Sequence, residues 1–228
     1  GYPRSVLAVA ALATLARLAI VWLGLPETRL ISDDAYYYFV TARNIAAGAG
    51  PTFDGLWITN GFHPLWLLAV IPAFWLVPGD LWWPVRSALS MTVVCDLASG
   101  FLLHDLVRRH RSPTIAAAAA AAWFLLPPTA LLGLQGLEAS LSTLLLLFLL
   151  RNLDGSASQS RVSTRSAAMT GVWLGLAGLA RTDNLATAGL AVIVCSVLQG
   201  ADRGARATWL RLAVHGSAAA LVTAPWFA

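Results

Sequence analysis

The sequence predicts an all-α polytopic membrane protein, and three observations carry that prediction. Of 228 residues, 58% are apolar or aromatic and only 11% are charged, whereas soluble domains carry about 25% charged residues. The mean hydropathy is +0.70, which excludes an ordinary globular enzyme. Apolar runs recur along the whole chain, at about 5–25, 64–78, 84–107, 113–132, 137–150, 166–180, 184–200 and 207–228. A bilayer-spanning helix needs about 20 such residues. Basic residues outnumber acidic ones 15 to 11, for a net charge of +4, and every basic residue is Arg.

The first run, 5–25, is long enough to remain as an anchor rather than be cleaved as a signal. A long segment follows, 26–83, in which the acidic residues Glu27, Asp33, Asp34, Asp54 and Asp80 gather. Within it, the run 64–78 is short, contains Pro72, and is bounded by Pro64 and Pro78. Such a run suits an interfacial or re-entrant helix better than a span. If it does not cross, Arg4 and three Arg clusters all face the cytoplasm. Those clusters are Arg108, Arg109 and Arg111; Arg151, Arg161 and Arg165; and Arg203, Arg206 and Arg211.

The expected topology therefore has about seven crossings and a cytoplasmic N-terminus. Residues 26–83 form a first extracytoplasmic loop, with small outer turns at 133–138 and 181–183. The Ser-rich stretch 151–165 is a cytoplasmic loop. Cys95 and Cys195 both fall within apolar runs, which excludes a disulfide framework and a clustered Cys/His metal site. No internal repeat supports an inverted-repeat transporter. The Arg clusters flank spans rather than form a stacked basic face, so nucleic acid is not expected as a partner. Starting at Gly1 and stopping at Ala228 inside an apolar run, the chain is expected to be part of a longer protein.

The polar residues that need explaining concentrate in the large loop. ISDDAYYYFVTARNIAAGAGP predicts a helix from Asp33 to about Ala47. Ser32 or Asp33 would cap it, Asp34 stands in the first turn, and Gly48 ends it. Tyr36, Tyr37, Tyr38 and Phe39 suit a membrane interface. Asp33 and Asp34 are either caps alone or a pair of carboxylates presented at the bilayer surface. FDGLWITNGFHPLW follows, with Asn60, Gly61, His63 and Pro64 set between aromatic residues. Trp57 and Trp66 read as interfacial anchors, and His63 as either structural or a headgroup ligand. Arg17 and Asp96 lie inside predicted spans, where ionisable residues are costly and pair with one another.

One span, a loop opening on DDAYYYF, and then NGFHPLW together resemble membrane glycosyltransferases of the GT-C fold. These include protein O-mannosyltransferases, the aminoarabinose transferase of lipid A, and mycobacterial arabinofuranosyltransferases. QGLEASL at 135–141 is similar to the family's second outer loop, which carries an acidic residue. GLARTDNL at 178–185 is similar to a third stretch and departs from it at Thr182 and Asn184.

The resemblance implies a single transmembrane module over 1–228, completed in the full protein by a C-terminal part. It implies an integral protein of the bacterial cytoplasmic (inner) membrane, active on the extracytoplasmic face in cell-envelope chemistry. A sugar would move from a polyprenyl-phosphate donor to a protein, lipid or glycan acceptor, with inversion. Asp33 is the implied general base, and Asp34 orients it or the sugar. Asn60, His63, Glu138, Arg181 and Asp183 are the implied residues for donor phosphate and substrate. His63 stands where relatives carry Lys or another polar residue. Arg181 either meets the phosphate or pairs with Asp183. A divalent cation, Mg²⁺ or Mn²⁺, held by Asp33 and Glu138 stays open, since relatives differ in metal dependence. The alternative is a transporter or lipid-linked-sugar flippase without transferase activity.

Overall fold

The computed structural model describes residues 1–24, 30–157, 163–200 and 204–227. Glu27 of the acidic loop, and Arg161 and Arg203 of the Arg clusters, lie outside the described residues. All regular structure among the described residues is helical, apart from one isolated antiparallel bridge between Thr52 and Ile58. In order the helices are α1 (Arg4–Ala19), continued by a π-helical turn (Ile20–Gly24), α2 (Asp33–Ala46), α3 (Pro64–Leu76), α4 (Trp82–His110) and α5 (Pro113–Leu125). They continue with α6 (Pro127–Gly133), α7 (Ala139–Ala157), α8 (Thr164–Ala180), α9 (Asn184–Gly200) and α10 (Ala205–Phe227).

Among the described residues two helical segments are long and apolar enough to cross a membrane, Arg4–Gly24 and Trp82–His110, with 21 and 29 residues. A third crossing is available if α5 and α6 act as one bent span. The sequence predicts a continuous run over 113–132, yet the two helices meet at 53°. The cause is local. Leu126 precedes Pro127-Pro128 and is held extended (φ −66°, ψ 125°), because a residue before proline is sterically pushed out of the helical region. Helix α3 has 13 residues with Pro72 inside, which gives about 20 Å against a hydrocarbon thickness of about 30 Å. Its shortness agrees with the non-crossing assignment. Helix α7 runs on to Ala157, so the polar loop expected from 151 begins later. Asn152 on that extension donates to the Ser166 carbonyl at 2.9 Å and to Thr170 Oγ1 at 2.7 Å.

The chain forms two compact units, Gly1–Leu144 and Leu145–Ala228. In the first, α2 and α3 pack on each other and α3 on α4, around Tyr38, Phe39, Trp66, Val70 and Leu89. Helix α1 packs on α5 through Val6, Ala10, Ala120 and Phe124. Arg17 and Asp96 pair as expected, with Nη1 3.5 Å from Oδ2 and both side chains about 95% buried. Arg17 Nη2 also donates to the Phe124 carbonyl at 3.2 Å, one of the acceptors near the end of α5 that the break leaves without a helical partner.

In the second unit α8 lies against α10. A Cβ on Gly171 would collide with the His215 carbonyl, and one on Gly175 would reach Val222 Cβ at 2.8 Å. The two glycines, four residues apart, let the helix backbones meet closely, as small residues do at helix interfaces in lipid.

Candidate functional site

Three segments far apart in sequence close on one another in the first unit: the start of α2, the turn into α3, and the turn between α6 and α7. The Ser32 amide donates to the Gln135 carbonyl at 3.0 Å, and the Trp66 indole donates to the Gly136 carbonyl at 3.1 Å. Gly136 has φ +82°, and a Cβ there would stand 2.9 Å from Ala35 Cβ and 3.0 Å from the Phe39 ring. Only glycine combines that backbone conformation with so close an approach. The turn is therefore clipped onto one face of α2.

At the centre is Glu138, 4% exposed. Its Oε2 accepts from the Tyr38 hydroxyl at 2.9 Å, and its Oε1 lies 3.8 Å from His63 Nε2. The Tyr38 oxygen in turn accepts from the His63 amide at 3.2 Å. A buried carboxylate without such partners would be strongly destabilising. Glu138 is thus positioned by one residue from each of the other two segments. His63 is half-buried, so its ring bridges the buried carboxylate and the surface.

The other expected residues fall as follows. Asp33 and Asp34 are exposed in the first turn of α2, where the helix dipole favours anions. Neither side chain hydrogen-bonds to another described residue. Ser32 is the N-cap residue, one of the two expected there, and its hydroxyl makes no capping bond. Asn60 is exposed. Arg181 and Asp183 belong to the second unit and pair with each other, Nε to Oδ1 at 3.2 Å and Nη2 to Oδ2 at 3.2 Å, in an exposed fork. Among the described residues no group of three or more His, Cys, Asp or Glu side chains gathers to hold a metal. Glu138 is engaged by Tyr38 and faces His63, while Asp33 stands exposed at the start of α2.

The loop beyond α2 is braced from within. Asn44 Nδ2 donates to the carbonyls of Thr52 and Phe53 at 2.9 and 3.2 Å. Asp54 Oδ1 accepts from the Leu56 and Trp57 amides, both at 2.9 Å. These amides, Trp57 first, hold the exposed Asp54 carboxyl below the usual carboxylate range. The amides of Trp83 and Trp82 do the same for Asp80 at the start of α4. The braced turn presents Leu56, Trp57 and Ile58, each more than three-quarters exposed. Trp57 is exposed, whereas Trp66, expected as an interfacial anchor, is fully buried in the protein.

Tyr38 is the residue that sequence reasoning missed. By residue type it reads as interfacial with Tyr36 and Tyr37, yet those two are exposed while Tyr38 and Phe39 face inward. The signal was present: Ala35, Tyr38, Phe39 and Ala42 recur at helical spacing and form the buried face. The chain matches no protein-family model, no curated protein and no solved structure.

Proposed function

We propose that the chain is the membrane module of a glycosyltransferase that takes a sugar from a polyprenyl-phosphate donor. It would act on the extracytoplasmic face of the bacterial cytoplasmic membrane, with about seven crossings in a GT-C-like arrangement. One observation carries the reading. The three segments of the first unit that resemble that family, 33–39, 60–66 and 135–141, are hydrogen-bonded into one cluster, with two adjacent carboxylates exposed at its edge.

In this reading Asp33 takes the proton from the attacking acceptor hydroxyl, whose oxygen bonds to the anomeric carbon. The bond from that carbon to the phosphate oxygen breaks with its electron pair, through an oxocarbenium-like transition state as in glycoside hydrolysis. Asp34, exposed beside Asp33, orients the base or sugar hydroxyls. His63 turns Nε2 toward Glu138 and offers Nδ1 to the donor phosphate, with Asn60 on the same turn. Arg181 is paired with Asp183, and no step is assigned to it. No step is routed through a metal. Acceptor class and sugar are left to experiment.

The test uses the full-length protein in lipid, wild type against Asp33→Asn, with a panel of radiolabelled polyprenyl-phosphate sugars and a membrane-derived acceptor extract. Loss of a general base lowers transfer by about 10²-fold or more. Equal transfer by both proteins sinks the assignment of Asp33. A transporter is favoured by one feature, the broken α5–α6 segment. Absence of transfer from every donor, with flux of a lipid-linked sugar across vesicles, would establish that reading instead.

A further inference from the structure

Helix α2 carries a second stripe of side chains that the Glu138 cluster does not use: Tyr36, Val40 and Arg43 recur at helical spacing. With Phe74 of α3 and Trp82 and Val85 of α4, among others, they line a cleft of about 250 Å³. Phe39, Phe74 and Val85 belong to the buried core and give the cleft an apolar floor. Trp82 is set in place because its amide and that of Trp83 donate to Asp80 Oδ1, at 2.7 and 2.8 Å. The polar side chains of the lining are of one kind. Arg43 and Trp82 can only donate, the Tyr36 hydroxyl donates too, and no carboxylate stands among them. None of the three side chains hydrogen-bonds to another described residue, and Tyr36 and Arg43 are exposed.

We propose that this cleft binds the headgroup end of an anionic phospholipid, with the phosphate on Arg43 and the glycerol esters over the apolar floor. Depth supports a lipid. Trp82 opens α4, whose 29 residues span about 43 Å against a hydrocarbon core of about 30 Å. An α4 that crosses therefore brings this end, and the cleft with it, to the level of the lipid headgroups. Chemistry supports the phosphate: an acceptor-only anion meets three donors, and a guanidinium matches its oxygens in pairs. A zwitterionic lipid would bring its own ammonium to a cleft whose one charged lining residue is already a cation. At about 30 Å³ per water the volume equals about eight waters, room for a headgroup while the tails stay in the bilayer. Arg43 follows Asp33 by ten residues, about 15 Å along the helix. A sugar donor's phosphate is one bond from the carbon under attack, so this is a different lipid site and does not rest on the role of Asp33.

The probe is phosphatidylglycerol with a diazirine near the head of one acyl chain, a minor component of phosphatidylcholine nanodiscs holding the full-length protein. Phosphatidylcholine with the same chain is the control, and labelled peptides are read by mass spectrometry. Label at Leu12 and Leu15 of α1, both exposed, reports bulk lipid. Relative to that reference, residues 36–43 and 74–85 should favour the glycerol probe about fivefold, the scale of one Arg acting on an anionic lipid. Unlabelled phosphatidylglycerol should compete. Arg43→Gln should abolish the preference and Arg43→Lys should keep most of it; the side chain is exposed, so neither change disturbs the core. Equal labelling by the two probes, or a preference that survives Arg43→Gln, would overturn the proposal. So would displacement of the label by polyprenyl phosphate at a lower mole fraction than phosphatidylglycerol, which would make the cleft a donor-lipid site. Sugar transfer is not read, so failure of the Asp33 assignment would leave this result standing.

Discussion

Tyr38, Trp66 and Arg17 each reach a hydrogen-bond partner 70 or more residues away within the first unit. In the second unit, α8 and α10 meet where side chains are missing, at Gly171 and Gly175. The two modes give different things. Small-residue packing brings helices close and leaves many side-chain arrangements open. A buried hydroxyl on a carboxylate, or an indole on a carbonyl, fixes direction as well as distance. A site that must hold Glu138 and His63 in one geometry needs the second mode, which in the first unit ties segments 70 or more residues apart and in the second joins neighbouring helices, as from Asn152 to Thr170.

The sharpest way to break this comparison is at the buried ion pair. Asp96→Ala should lower stability by about 3–5 kcal/mol, because it leaves Arg17 uncompensated in an apolar surround. Replacing both partners, Arg17→Met with Asp96→Leu, should recover most of that loss. Thermal unfolding in nanodiscs reads both, and a double variant no better than the single one would show that the pair is not the cause.

Next is Tyr38→Phe, which removes the bond to Glu138 without changing shape and should cost about 1.5–3 kcal/mol, the range for bonds to charged groups. If the cluster is the site, transfer should fall further than stability alone explains, while Asn152→Ala in the second unit should lower stability with no such excess. In the second unit Gly171→Ala should cost about 1–3 kcal/mol, as overpacking does, while Gly189→Ala, with open space around its Cβ position, should cost nothing measurable. Equal effects of the two glycine changes would refute the close-approach argument.

The smallest effect concerns the braced turn. The folded Asp54 carboxyl titrates below its unfolded value, so its contribution is present above the ordinary carboxylate range and lost as pH falls through the lowered pKa. Lower protection of the Leu56 and Trp57 amides, relative to the intrinsic exchange rate at each pH, in acid and at any pH in Asp54→Ala, is the expected readout.

Much of this was legible in the chain. The apolar runs located nearly every helix, and Pro72 with its flanking prolines marked α3 as short. The pairing of Arg17 with Asp96 followed from the cost of lone charges among apolar residues. The α5–α6 bend was written in Pro127-Pro128, but the surrounding apolar run hid it, since hydropathy registers burial and not direction. Helix α7 outran its apolar stretch because Arg151, Asn152 and Asp154 are polar without being helix breakers. Of the cluster, Asp33, His63 and Glu138 stood out by residue type. That Glu138 would be buried against Tyr38, while Asp33 and Asp34 stay exposed, depends on which face of α2 packs inward, and three consecutive tyrosines look alike until the helix is turned.

The bond between Tyr38 and Glu138 spans 100 residues, and that has a consequence for how the protein is made. Ribosomes add about 5–20 residues per second. Helix α2 therefore leaves the ribosome about 5–20 s before the glutamate that completes its inner face. For that interval Ala35, Tyr38 and Phe39 lack the turn that will cover them, and the cluster cannot form until α5 and α6 have been delivered. The candidate site is among the last parts of the first unit to close, whatever order its helices follow into the bilayer.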